Sequence, residues 1–269
     1  MKIVRSYLYV PGNRPERFDK ALAAGADAVI VDFEDAVPPA EKDAARSAVS
    51  AWLSADKPVL VRVNAAGTEW FERDLAACDA AGVSGVVLPK AEAMDARAIA
   101  LCRRRDIPLF PIIETAAGMA QAESVAATPT VQCLMFGTID FQFELGLDGD
   151  GDEMVYYRSR LALASKVAGI RPPVDGPCTS WEDAALLRAD CLRVRKLGFG
   201  GKLCIHPKQV AIVNAAFSPS EAEIAWARKV LDAAHRSGGA AVAVDGRMID
   251  RPVILKAQRI AAQAGLNVT

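Results

Sequence analysis

Two carboxylates in this chain stand where two apolar runs stop. Glu114 ends the run from Pro108 and Asp140 ends the run from Cys133, 26 residues further on, about one strand–helix repeat. Neighbouring parallel strands lie about 4.8 Å apart, so acids at equivalent strand ends could hold one hard cation between them. With two histidines in the whole chain a His-rich zinc or iron site is disfavoured, and two carboxylates completed by water and substrate oxygens suit Mg²⁺, with Mn²⁺ as the alternative. Charge recurs at the ends of other apolar runs: Glu34 and Asp35 after Ala28, Arg62 after Val59, Lys90 after Gly85. A strand-end arginine keeps its charge and needs an anion or several carbonyls, and Glu34 or Asp35 would also satisfy it. Lys90 admits a Schiff-base chemistry with a carbonyl substrate, or a salt bridge to the acidic ring.

The elements that must position these groups alternate. Strand candidates fall at 6–10, 28–34, 59–64, 85–90, 108–114, 132–140, 172–177 and 201–207. Amphipathic, Ala-rich helix candidates lie between them at 15–24, 40–54, 69–80, 94–104, 116–126, 153–168 and 180–196, with a short one after Pro207. Parallel neighbours need crossover connections, and eight is the number of strands that closes a (β/α)8 TIM barrel. The expected fold is therefore α/β, a TIM barrel over residues 1–217, with charged strand ends at the catalytic face. From Ser218 the pattern changes to a capped helix, a short hairpin around Asp245-Gly246 and a last helix from about Pro252 to Ala264. This helix–hairpin–helix extension, 218–269, looks too small for a second core and is expected to pack on the barrel or a neighbouring subunit.

At 269 residues the chain can bury a large core, and one α/β barrel of this length is ordinary. A net charge of −1 gives no support for nucleic-acid or anionic-membrane binding. No apolar run reaches the roughly 18 residues a spanning helix needs. The N-terminus opens into a strand rather than a signal peptide, and six scattered cysteines without a Cys-x-x-Cys pair read as free thiols in a reducing cytoplasm.

Other strings carry less. The turn from Val10 to Arg17 leads into a helix with Arg14, Arg17 and Lys20 around its start, either an anion site or a solvated basic face. The run from Asp148 to Asp152 starts like a calcium loop but has Ser159 where the bidentate Glu belongs. The stretch from Gly198 to Lys202 lacks Walker spacing and reads as a turn into the eighth strand.

Taken in order, several segments resemble the citrate lyase beta-subunit-like family within the HpcH/HpaI aldolase superfamily, which includes malyl-CoA and citramalyl-CoA lyases. They are Arg5–Gly12, Asp32–Val37, Arg62–Asn64, Leu88–Lys90, Ile113–Thr115, Phe136–Asp140, Gly200–Pro207 and Met248–Asp250, and they span nearly the whole chain. The resemblance implies a Mg²⁺-dependent TIM barrel assembling as homotrimers or hexamers, with Glu114 and Asp140 as metal ligands and Arg62 on the reacting carbonyl oxygens. It places Tyr9, Arg14 and Lys20 at the CoA moiety, Gly137 at the substrate, and Asp250 as an acid that reaches a neighbouring subunit's site. Glu144, Phe33 and Phe141 stand where relatives often have Asp, Leu and Leu.

The activity so implied is reversible carbon–carbon cleavage of a carboxylated 3-hydroxyacyl-CoA to acetyl-CoA and a 2-oxo acid. The catalytic set is then Arg62, Asp250, Glu34, Asp35 and Lys90. Three alternatives stand beside it: a CoA-independent 2-oxo acid aldolase on the same metal site, a Schiff-base enzyme at Lys90, and an acyl-processing subunit of a citrate-lyase-type complex.

Overall fold

The computed structural model describes residues 4–236, 242–244 and 247–266. Eight parallel strands close into a barrel in sequence order. They are β1 (Ser6–Pro11), β2 (Ala28–Asp32), β3 (Val59–Arg62), β4 (Val83–Leu88), β5 (Leu109–Ile113), β6 (Met135–Phe136), β7 (Val174–Asp175) and β8 (Gly201–Cys204). The crossovers are helical: α1 (Phe18–Leu22), α2 (Lys42–Trp52), α3 (Phe71–Ala77), α4 (Ala96–Arg105), α5 (Ala116–Ala120), α6 (Ala122–Ala126), α7 (Thr138–Leu145), α8 (Val155–Val167) and α9 (Ala184–Lys196). The TIM barrel expected from the alternation is the fold observed.

Side chains alternate across a strand with period two, so one parity of each strand fills the interior. Tyr7, Ile30, Leu60, Val87, Phe110, Ile112, Met135, Val174 and Leu203 form that filling, with contributions from all eight strands. Two residues further along the same parity, each chain reaches the C-terminal mouth. Tyr7 leads to Tyr9, Ile30 to Asp32, Leu60 to Arg62, Ile112 to Glu114, Met135 to Gly137 and Leu203 to Ile205. All six of these end residues line one cavity.

Most strands are shorter than expected or shifted by a residue or two, and two of these differences bear on the site. The run Cys133–Asp140 is a strand only at Met135–Phe136; from Thr138 it is the helix α7, which sequence periodicity does not announce. Asp140 is thus in the first turn of α7, where an acid is favoured by the helix dipole, and not at a strand end equivalent to that of Glu114. The strand expected over 28–34 stops at Asp32, which leaves Glu34 and Asp35 in the following loop. The helix expected over 15–24 is a 3-10 turn at Pro15–Arg17 followed by the five residues of α1.

Behind β7 and β8 the opposite parity carries charge. Lys202 Nζ lies 2.5 Å from Asp175 and 2.6 Å from Asp190, and all three are buried. Arg158, wholly buried, binds Asp175 at 2.8 Å and Asp150 at 2.6 Å, and Arg193 joins Asp150 to Asp190. Asp150 therefore serves this network, consistent with setting aside a calcium loop. Burial lowers the Lys202 pKa, but the charges of Asp175 and Asp190 outweigh it and hold the ammonium above its usual range. Removing one member of a buried ion set leaves the others uncompensated, so Lys202→Ala is expected to cost about 3–5 kcal/mol in a urea melt. A loss under about 1 kcal/mol would contradict that role.

The C-terminal residues form a second compact unit beginning at Ala215, within α10 (Pro207–Phe217). Here α11 (Glu221–Arg236) and α12 (Arg251–Gln263) pack around Ala227, Val230, Ala233, Ile249, Ala257 and Ile260. The extension thus has a small core of its own, contrary to the expectation from its size, because both helices present short Ala and β-branched side chains. A hairpin of β9 (Val242–Val244) and β10 (Arg247–Ile249) pairs in antiparallel register. Asp245 and Gly246, expected at its turn, lie outside the described residues.

Candidate active site

The barrel mouth holds a cavity of about 490 Å³ lined by Tyr9, Asp32, Asp35, Arg62, Ile112, Glu114, Gly137, Thr138, Asp140, Pro177, Leu203 and Ile205, among others. Of the residues singled out in the sequence, it brings together Tyr9, Asp35, Arg62, Glu114, Gly137 and Asp140. Glu34 and Lys90 stand beside it, in the wall of a neighbouring pocket that shares Asp35.

Arg62 is held by a residue the sequence analysis did not single out. Its Nε and Nη2 grip both oxygens of Asp32 at 2.7 and 2.6 Å, a bidentate pair. The register of β2 against β3 sets Asp32 directly beside Arg62. The signal was the period of two: Asp32 shares the parity of Ile30, and Glu34 falls after the strand has ended. Glu34 Oε2 still lies 2.9 Å from Arg62 Nη1, an ion contact without hydrogen-bond alignment. Asp35 is at 3.4 Å, and the guanidinium sits 4.8 Å over the Tyr9 ring. Burial alone would lower the Arg62 pKa, yet the charge of Asp32 raises it well above normal. Asp32 also accepts N–H bonds from Glu34 at 2.8 Å and Ala36 at 3.2 Å, so one carboxylate orders both the arginine and its loop.

Glu114 is 3% exposed, and its Oε1 accepts the Lys90 N–H at 2.7 Å. Burial, followed by the charge of Glu34, pushes its carboxyl up to about 8. Gly137 packs against the other oxygen, and a Cβ there would run into the carboxylate. Lys90 Nζ binds Glu34 at 2.8 Å. Burial would lower the Lys90 pKa, but the hydrogen bond and charge of Glu34 raise it. An ammonium so held is a poor Schiff-base nucleophile, which favours the salt-bridge reading of Lys90.

The remaining residues lie elsewhere. Arg14 is exposed and pairs with Glu16 at 2.7 Å, and Lys20 is exposed on α1. Asp250 belongs to the C-terminal unit, where its carboxylate caps α12 by accepting the Val253 N–H at 3.2 Å. Among the described residues no set of three or more His, Cys, Asp or Glu converges as a preformed metal cage, and no helix is long and apolar enough to cross a membrane. All six cysteines are free, and five of them are buried.

The barrel mouth thus gathers Asp32, Glu34, Asp35, Glu114 and Asp140 around Arg62 and Lys90, a charged site at the C-terminal face where (β/α)8 barrels carry their chemistry. The chain belongs to the HpcH/HpaI aldolase/citrate lyase family, whose model matches residues 5–207, and it is an enzyme of that lyase class. It is 38% identical to a citrate lyase subunit beta-like protein of Deinococcus radiodurans, with 96% of each chain covered. It is 37% identical to a (3S)-malyl-CoA thioesterase of Cereibacter sphaeroides over 97% of this chain and 94% of that one. In structure it is similar to CitE from Mycobacterium tuberculosis in complex with magnesium, acetoacetate and coenzyme A. That match has a TM-score of 0.86 and 35% identity, covering 98% of both chains.

Proposed function

We propose that the protein reversibly cleaves a carboxylated 3-hydroxyacyl-CoA of the malyl, citramalyl or citryl type into acetyl-CoA and a 2-oxo acid, with Mg²⁺ held by Glu114 and Asp140. The observation that carries this reading is the charge of the mouth. Five carboxylates face two cations there, and a substrate bearing its own carboxylate would be repelled unless a further positive charge were present. The donor set fits a hard dication: oxygen only, with a carboxylate at Glu114 that is buried and has one oxygen, Oε2, free of the Lys90 hydrogen bond. When bound, the cation supplies Lewis-acid polarisation of the nascent 2-oxo acid carbonyl. The magnesium-bound CitE and the malyl-CoA-acting relative support this reading of metal and substrate class.

The chain's own groups do the rest. Asp32 fixes the plane of Arg62, leaving the Nη1 edge toward Glu34, Asp35 and the cavity, where it can stabilise negative charge developing on the thioester oxygen. In cleavage the substrate hydroxyl gives up its proton, the C2–C3 electron pair passes to the thioester as an enolate, and the enolate carbon takes a proton to become acetyl-CoA. Condensation runs the same path backwards, and Asp250 is the proposed base for the acetyl methyl proton. Tyr9, Arg14 and Lys20 are proposed CoA contacts. Free thiols fit a cytoplasmic enzyme, and by the family resemblance we propose a homo-oligomer, for which light scattering should show a trimer or hexamer.

Malyl-, citramalyl- and citryl-CoA assayed with and without Mg²⁺ test the function. Acetyl-CoA and a 2-oxo acid should appear in equal amounts, and only with the metal. Free hydroxy acids cleaved as fast as thioesters would favour the CoA-independent aldolase. Free CoA released alongside the oxo acid would mean that the acetyl-CoA product is hydrolysed, and free CoA with malate would be the thioester hydrolysis named for the thioesterase relative.

The raised Glu114 pKa also sets a pH dependence. A carboxyl whose folded pKa is lifted from its ordinary value toward about 8 contributes stability at low pH, and that contribution is lost as pH rises through 8. Metal-free protein should therefore lose thermal stability between about pH 5 and 8, and Mg²⁺ should restore it. Because binding must displace the proton, Mg²⁺ affinity should rise by up to about tenfold per pH unit below 8. Titration by calorimetry at three pH values checks this, and a flat affinity would contradict it.

A further inference from the structure

Lys90 follows β4 at the rim of the cavity with φ of +48°, a left-handed conformation that crowds Cβ against the backbone of any residue except glycine. Among the described non-glycine residues this sign of φ is shared by Asp106 and Thr130, and Asp106 is the C-cap of α4, where such a residue ends a helix. Lys90 caps no helix. The peptide that follows it is pinned at both of its polar groups: the Lys90 carbonyl accepts the Glu92 N–H at 2.9 Å, and the Ala91 N–H reaches the Ile112 carbonyl at 3.0 Å. The result of the twist is that the Lys90 N–H points at Glu114 Oε1, 2.7 Å away. The other oxygen, Oε2, is left against Gly137, the residue that leads into α7 and Asp140.

We infer that Lys90 is a positioning residue for the cation site, acting through its backbone. The left-handed turn fixes one oxygen of Glu114 and thereby presents the other toward the side that carries Asp140. The ammonium has a separate task, offsetting the Glu34 charge at 2.8 Å. Strain held in place by surrounding bonds at a functional site is a recognised pattern, as is an outer hydrogen bond that orients a metal-binding carboxylate. The inference rests on the proposed reading of Glu114 as a cation ligand.

The two roles of Lys90 separate by substitution. Lys90→Gly and Lys90→Asn remove the ammonium but tolerate positive φ; Lys90→Val removes it and resists positive φ because its Cβ is branched. Mn²⁺ affinity of the full chain, read by electron paramagnetic resonance without substrate, should stay within about threefold of wild type for Gly and Asn. For Val it should weaken by about 10- to 100-fold, the usual cost of losing an outer-shell partner. Melting curves verify that each variant is folded, and Lys90→Thr replaces Val if Val is not. Wild-type affinity in the β-branched variant overturns the inference, and so does equal weakening in all three, which would locate the effect in the ammonium. Wild-type Mn²⁺ affinity in Glu114→Ala overturns instead the cation assignment beneath it.

Discussion

Glu114→Ala and Asp140→Ala should each lower kcat/KM for thioester cleavage by about 10³-fold or more, since a Lewis-acid cation supplies several kcal/mol of charge stabilisation. The two losses should not add. Once one ligand is gone the cation no longer organises the substrate oxygens, so the double variant falls little below either single one. Progress curves at saturating Mg²⁺ measure this, with circular dichroism to verify folding. Activity within about tenfold of wild type in either variant would be incompatible with a shared cation site. The two should differ in one respect. Glu114 is buried and Asp140 is exposed in the first turn of α7, so excess Mg²⁺ should recover some activity in Asp140→Ala and none in Glu114→Ala.

Arg62→Ala should lower kcat by about 10²- to 10³-fold, the usual cost of removing a charge-stabilising donor from a desolvated site. It should also destabilise the fold by about 3–5 kcal/mol, because Asp32 would be left buried without its ionic partner and Glu34 with Lys90 alone. The two effects separate in Arg62→Lys. An ammonium keeps the charge but cannot grip both oxygens of Asp32, so much of the stability should return while kcat stays at least about tenfold down. Urea melts beside kcat and KM for malyl-CoA check both arms. An Arg62→Lys enzyme with wild-type kcat would mean that Arg62 supplies charge alone and that its orientation by Asp32 is immaterial.

Much of this site was legible because a barrel strand obeys a period of two. Arg62 and Glu114 were found as charges at the ends of apolar runs, and each proves to extend the parity of a core residue, Leu60 and Ile112. The same rule, applied from Ile30, would have led to Asp32. The apolar Phe33 hides it, because the apolar run then reads on to Glu34 although the strand stops at Asp32. Asp140, an acid expected at a strand end, lines the cavity from the first turn of α7 instead. The segment from Thr138 to Phe143 alternates polar and apolar residues as a strand does, and the helix α7 wins there because Gly137 turns the chain out of β6 at the barrel mouth. The ion network of Arg158, Asp175, Asp190 and Lys202 had no local signature. It depends on the register of β7 against β8, where Asp175 lies beside Lys202, and on two helices that sequence spacing does not bring together. Lys90 is the converse case: the residue was evident, but its backbone angle is invisible in a string of letters.

The most direct test of the account is an anomalous difference map from crystals grown with Mn²⁺ and a 2-oxo acid. The account predicts one strong peak at bonding distance, about 2.0–2.3 Å, from Glu114 and Asp140 carboxylate oxygens, with the oxo acid completing the shell. A cavity without the metal, or a peak bound by other residues, in crystals of protein that cleaves the thioester would contradict it.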